Sequence, residues 1–113
     1  MITIPVDEGY AFDYLSILQI KFKKKLISEY IYNKCKTNII NQIGYNKTNK
    51  IIKSKEYSKL LKSNETVFNM VNLAKKDKIL ASVVNNENYN RFLLKKEIIK
   101  KFFKDKIQLE IKN

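Results

Sequence analysis

Three charged side chains occupy helix positions that the surrounding apolar pattern would assign to the interior. Asp13 lies in a run of helical apolar spacing near the N-terminus, and Arg91 and Lys95 lie one turn apart on an apolar arc near the C-terminus. A lone carboxylate is costly to bury, so it needs a charged or hydrogen-bonding partner. We therefore expect Asp13 to pair with Arg91, with Lys95 or Asn88 close by.

This polar cluster of Asp13, Asn88, Arg91 and Lys95 has two interpretations. As a buried ion pair it would fix the register of two helices, and such networks are common without any chemistry. As a ligand site it would receive an anionic group. We favour the structural interpretation and keep the ligand site as the alternative.

The first helix also carries two apolar stripes, which Ser16 and Lys23 separate. The first stripe includes Phe12, Leu15 and Leu18, and the second consists of Ile17, Ile20, Ile27 and Ile31. A helix with two apolar stripes must meet partners on two sides. It is therefore either the central helix of the monomer, or its second stripe is an oligomer interface.

Few residues in the chain break helices, since there are two glycines and one proline. This scarcity favours long helices over a fold with many tight turns. We expect helices over residues 10–42, 54–62, 63–84 and 87–104, a loop over 45–53, and strands over 2–6 and 107–111. Asp7 is placed to cap the first helix and Gly44 to end it, and Ser63 or Asn64 to cap the third.

These elements predict a mainly α-helical single domain over residues 1–113. It would contain about four helices and a small two-stranded ribbon formed by the N- and C-terminal segments. Pairing the two terminal strands would cover edges that neither strand could protect alone.

The net charge of +12 is the most obvious functional clue. Such a charge is typical of proteins that bind nucleic acid or anionic surfaces. All but one of the 23 basic residues are lysine, however, and phosphate and base recognition favours arginine. Lysine, isoleucine, asparagine and tyrosine all have A/T-rich codons, so genome composition explains much of the charge. Nucleic-acid binding is therefore the alternative, behind a solvated basic surface.

The composition argues against the common catalytic chemistries. There is no histidine to serve as a general base or metal ligand, and the single cysteine, Cys35, allows no intramolecular disulfide. Gly9 and Gly44 alone cannot form a glycine-rich phosphate loop. We expect no catalytic residues, no metal and no cofactor. No stretch is apolar enough to span a membrane or to form a secretion signal, so we expect a cytoplasmic protein.

Two segments resemble a family of small uncharacterised bacterial and phage proteins. The start of this family reads approximately Gly-Glu-x-x-Asp-Lys-Leu-Thr-Ile-Leu-x-Ile-Lys, and a later segment reads Asn-x-x-Arg-x-x-Leu-Lys-x-x-Ile. The matching residues are Gly9, Asp13, Leu15, Ser16, Ile17, Leu18, Ile20, Lys21, Asn88, Arg91, Leu94, Lys95 and Ile98. Tyr10 and Tyr14 stand where the family has glutamate and lysine.

The resemblance implies a compact, mostly helical protein whose termini pack together, and a phage-encoded member would act in the host cytoplasm. It assigns no reaction. Together with the composition, it favours a non-enzymatic interaction or accessory protein that self-associates through helix faces, with an unidentified protein partner. A nucleic-acid-binding accessory protein is the alternative.

Overall fold

The structure, a computed structural model, describes residues 3–75, 81–103 and 108–112. Within these ranges the chain is mainly α-helical, as predicted, but it forms five helices rather than four. The elements in chain order are β1 (Thr3–Asp7), α1 (Glu8–Lys23), α2 (Glu29–Ile43), α3 (Tyr45–Ile52), α4 (Lys55–Lys75), α5 (Ala81–Phe102) and β2 (Gln108–Lys112).

The start of α1 follows the predicted capping pattern. Asp7 is the N-cap, and its Oδ1 accepts a hydrogen bond of 2.6 Å from the backbone N–H of Tyr10. Glu8 lies in the first turn and Lys21 and Lys23 in the last turn, so charges of both signs complement the helix dipole.

The predicted helix over residues 10–42 is wrong in one respect, because the chain reverses after Lys23. Lys25 adopts a left-handed conformation with φ of 60°. The N–H of Leu26 bonds the carbonyl of Lys21, and the N–H of Lys25 bonds that of Phe22, each at 2.9 Å. This pair of bonds is a Schellman motif, which ordinarily uses glycine where this chain has lysine. The apolar spacing continues through the turn and therefore does not signal it.

Three further boundaries differ from the prediction. Residues 45–52 form α3 rather than a loop, and Gly44, with φ of 96°, ends α2 as predicted. Ser63 and Asn64 lie inside α4 instead of starting a helix. Likewise, α5 begins at Ala81 and continues through Asn85 and Asn86, which were predicted to separate the helices over 63–84 and 87–104. The predicted end of the third helix falls partly on residues 76–80, outside the described residues.

The terminal segments β1 and β2 pair as an antiparallel two-stranded ribbon. Thr3 lies opposite Lys112 and Asp7 opposite Gln108. The second strand also lies against α2 and α1. The ribbon therefore joins the start of α1 directly to the end of the described chain.

The hydrophobic core lies between α1 and the helices that surround it. Phe12 contacts Tyr57 and Phe103, with ring centroids 6.4 Å and 6.3 Å apart. The Tyr57 hydroxyl donates a hydrogen bond of 2.9 Å to Gln19 Oε1, so the buried phenol keeps a polar partner. The buried cluster comprises Ala11, Phe12, Leu15, Ile39, Ile51, Tyr57, Leu60, Leu94, Ile98 and Phe103.

Candidate functional site

The two charged helix positions near the C-terminus lie next to the one near the N-terminus. Arg91 Nε lies 3.6 Å from Asp13 Oδ1, and Lys95 Nζ lies 3.9 Å from Asp13 Oδ2. Asp13 is buried, with 3% of its surface exposed. One buried carboxylate therefore faces two cations, and the three side chains together carry a charge of about +1 at neutral pH.

Two polar residues that the sequence analysis did not assign to this site also form hydrogen bonds in it. Asn64 Nδ2 donates to Asp13 Oδ1 at 2.8 Å and to Ser16 Oγ at 2.6 Å. The Ser16 hydroxyl in turn donates to the backbone carbonyl of Asp13 at 2.7 Å. From here on, the polar cluster is the set of five residues found in the structure, which are Asp13, Ser16, Asn64, Arg91 and Lys95. It joins α1, α4 and α5.

The same wheel argument that singled out Asp13 would have found Asn64. Leu60 and Val67 are buried four residues before it and three residues after it, so Asn64 lies on the interior face of α4. Its polarity was instead interpreted as a helix cap. Asn88, which was predicted to join the cluster, is half-buried on α5, and its side chain makes no hydrogen bond within the described part of the chain.

The polar cluster retains hydrogen-bonding capacity that the described residues do not use. Asn64 is 97% buried and its Oδ1 has no hydrogen-bond partner. The contact of Arg91 with Asp13, at 3.6 Å, is an ion pair but too long for a hydrogen bond. Within the described residues the guanidinium donates no hydrogen bond, although it carries five N–H donors.

An apolar groove begins at this cluster and runs between α1 and α4. Its cavity volume is about 270 Å³. Five apolar side chains line it, together with Asn72 and two members of the polar cluster, Asn64 and Arg91. The apolar residues, which define the α1–α4 groove, are Ile17, Ile20, Val67, Phe68 and Val71. Lys24 Nζ lies 5.1 Å from the Phe68 ring centroid, which adds a second cation beside the groove.

The predicted interface stripe is divided by the turn after α1. Ile17 and Ile20 lie on α1 and line the groove, and Ile20 is almost fully buried. Ile27 lies in the turn and Ile31 in the first turn of α2, where it is exposed. A single continuous stripe through these four residues is therefore wrong, because no single helix carries all of them.

The described residues offer little else for catalysis. Burial raises the pKa of the Cys35 thiol to about 11, so the thiol is overwhelmingly protonated at neutral pH and a poor nucleophile. In the described ranges, no three histidine, cysteine or acidic residues come together as a metal site. No helix in those ranges is long and apolar enough to cross a membrane.

Comparisons with protein-family models, with curated proteins and with solved structures find no match for this chain. The candidate site is therefore defined by its own geometry: a buried polar cluster at one end of an apolar groove.

Proposed function

We propose that this chain is a non-enzymatic interaction protein that self-associates through an apolar surface at the turn between α1 and α2. The observation that supports it is the exposure of large apolar side chains there: Tyr30 is 71% exposed and Leu26 is 59% exposed. Ile31 is exposed beside them and Ile27 is half-buried. We call Leu26, Ile27, Tyr30 and Ile31 the corner surface.

The corner surface is unusual because its apolar residues are close together in the chain and on one turn. Single exposed apolar side chains are common, whereas contiguous ones indicate contact with a partner. A second copy of this chain is the partner we propose, since a domain of this size gains buried area by association. Lysines 23 to 25 directly precede these residues in the chain, so repulsion between copies should weaken when salt is added.

Light scattering coupled to size exclusion, at low and high salt, tests this proposal on protein freed of nucleic acid. We expect a dimer or larger assembly that persists at high salt. The double variant L26Q/I31Q should be a monomer that keeps the helical content of the wild type. The control L73Q/L93Q replaces two leucines exposed elsewhere, and it should keep the wild-type mass. A wild-type monomer at both salt concentrations would contradict self-association.

A second candidate function, nucleic-acid binding, is favoured by one feature of α5. Tyr89 and Phe92 are both exposed and their rings stack with centroids 6.3 Å apart. Lys96 Nζ lies 4.7 Å from the Phe92 ring centroid. Exposed aromatic side chains beside cations are typical of surfaces on which the bases of single strands stack.

Fluorescence anisotropy with a labelled single-stranded oligothymidylate tests this second candidate. Binding should weaken steeply as salt increases, because counterions are released from phosphates. The variant Y89S/F92S should bind more weakly than the wild type, while L26S/I31S should not. Equal binding by the two variants would leave only a nonspecific effect of the net charge.

The relationship to the family of small bacterial and phage proteins stays a prediction, as does a cytoplasmic location. Neither is needed for the two tests, which use the purified chain alone.

A further inference from the structure

The geometry points to a binding site for a small amphipathic carboxylate in the α1–α4 groove. Its apolar part would occupy the space among Ile17, Val67 and Phe68, and its carboxylate would bind the guanidinium of Arg91. This site is separate from the corner surface, so it does not depend on self-association.

The positive charge of the polar cluster favours an anionic ligand. Asp13 is the acidic member of the polar cluster, and it faces both Arg91 and Lys95 within 4.0 Å. One negative charge against two positive charges leaves about one positive charge uncompensated. Lys24 adds another on the Phe68 side. A monoanionic ligand at Arg91 would compensate one of these positive charges, whereas a cationic ligand would be repelled.

The guanidinium of Arg91 has hydrogen-bonding capacity that its contact with Asp13 does not use. Its Nε is directed to Asp13, but at 3.6 Å the contact is an ion pair without a hydrogen bond. Arg91 lines the groove and its side chain is 26% exposed, so it is partly accessible to a ligand in the groove. The planar fork of arginine matches a carboxylate with two parallel hydrogen bonds, which lysine cannot offer.

The volume and the lining of the α1–α4 groove suit a small ligand with an apolar body. Its volume of about 270 Å³ is slightly below the roughly 300–1,000 Å³ of sites that hold drug-sized ligands. Five apolar side chains line it, and two of its three polar lining residues, Asn64 and Arg91, belong to the polar cluster. An apolar body with one terminal charged group fits that division, and a polymeric nucleic acid does not.

Titration of the ¹⁵N-labelled protein with sodium octanoate, followed by ¹H–¹⁵N correlation NMR, tests this inference. We expect saturable shifts at Ile17, Val67, Phe68 and Arg91. Octanol and octylammonium have the same alkyl chain without the carboxylate. Each should bind at least about tenfold more weakly, as expected from the loss of a charge-assisted hydrogen bond.

Two kinds of variant make the test specific. V71W places a large ring at the partly exposed edge of the groove and should abolish the octanoate shifts. L73W is its control, because Leu73 is also exposed on α4 but does not line the groove. R91Q should weaken octanoate binding about tenfold or more while leaving octanol binding unchanged.

The inference would be overturned by the absence of saturable shifts with octanoate, by equal binding of octanol and octanoate, or by undiminished octanoate binding to V71W. Shifts of the groove residues that depend on protein concentration without octanoate would also overturn it, because they would show that a second copy covers the groove. If R91Q does not fold, the V71W variant and the comparison of octanoate with octanol and octylammonium still test the proposed site.

Discussion

Helix α1 buries two faces that differ in almost every physical respect. On one, Phe12 and Leu15 pack against aromatic and aliphatic side chains of the core and are fully buried. On the other, Asp13 and Ser16 are equally buried but contact Asn64 and the two cations of α5. We call these the apolar face and the polar face.

The two faces are equally buried, but they do not contribute equally to the free energy of unfolding. The apolar face gains free energy from removing hydrocarbon from water and from close packing. On the polar face, hydrogen bonds and charge attraction mainly offset the cost of desolvation. The polar face therefore contributes little net stability while intact, but it becomes costly when one member is removed. It also leaves hydrogen-bonding groups of Asn64 and Arg91 unused among the described residues.

The largest expected effect is on the apolar face. Phe12→Ala should lower the free energy of unfolding by about 3–5 kcal/mol, because it removes a large fully buried ring and leaves a cavity. Urea denaturation followed by circular dichroism measures this. Tyr10→Ala, at an exposed aromatic position on the same helix, is the control and should cost about 1 kcal/mol or less. Similar losses for the two variants would mean that the core described here does not dominate stability.

Removing the central carboxylate of the polar face should have the next largest effect. Asp13→Ala leaves Arg91 and Lys95 without their counter-charge and leaves Asn64 without an acceptor. Breaking a buried ion pair costs about 3–5 kcal/mol, but both cations are partly exposed, so we expect roughly 2–3 kcal/mol. The same denaturation experiment applies. A loss below about 1 kcal/mol would place this cluster with ordinary surface ion pairs.

Asn64→Ala should have a smaller effect, of about 1–2 kcal/mol, since two hydrogen bonds are lost but an unpartnered carbonyl oxygen is removed as well. Thr66→Ala is a suitable control on the same helix, because its hydroxyl makes an exposed bond to the backbone of Lys62. If the two variants lost equal stability, Asn64 would not be the link between α4 and the polar face.

The smallest effect is expected for an ion pair on the surface, which provides a reference for the buried one. Lys101 Nζ lies 2.8 Å from Glu56 Oε1, and its hydrogen bond lowers the pKa of that carboxyl. Lys101→Ala should cost less than about 1 kcal/mol. Because the pKa of Glu56 is lowered on folding, this contribution exists at neutral pH and is lost as the pH falls. If acidification lowered the free energy of unfolding equally in the wild type and in the variant, this contribution of the ion pair would be contradicted.

Sequence reasoning succeeded where a residue contradicted its own periodic pattern. Asp13, Arg91 and Lys95 stood out because each is charged at an apolar position, and the two cations of α5 each lie within 4.0 Å of Asp13 on α1. Asp7 and Gly44 were recognisable because capping and helix termination are local. These features need only the rules of a single helix.

Sequence reasoning failed where a residue type that is typical of helix caps instead forms a tertiary contact. Asn64 and Ser63 resemble helix caps, but Asn64 bonds Asp13 and Ser63 donates to Glu87 Oε1 across to α5. Helix α4 therefore continues past two residues that resemble helix caps. The reversal after α1 was missed for the opposite reason, because Lys25 adopts a conformation that sequence patterns assign to glycine.

Gly9 gives the ion pair of α1 a dependence on a residue that carries no charge. A Cβ atom there would lie 3.1 Å from the backbone carbonyl oxygen of Lys95 and 3.0 Å from Ile99 Cδ1. Asp13 lies one turn further along α1, so the close approach of the two helices at Gly9 helps to bring its carboxylate near α5. Glycine at position 9 therefore acts as a spacer for the ion pair, and an alanine there would require Ile99 Cδ1 and the Lys95 carbonyl to move away by a few tenths of an ångström.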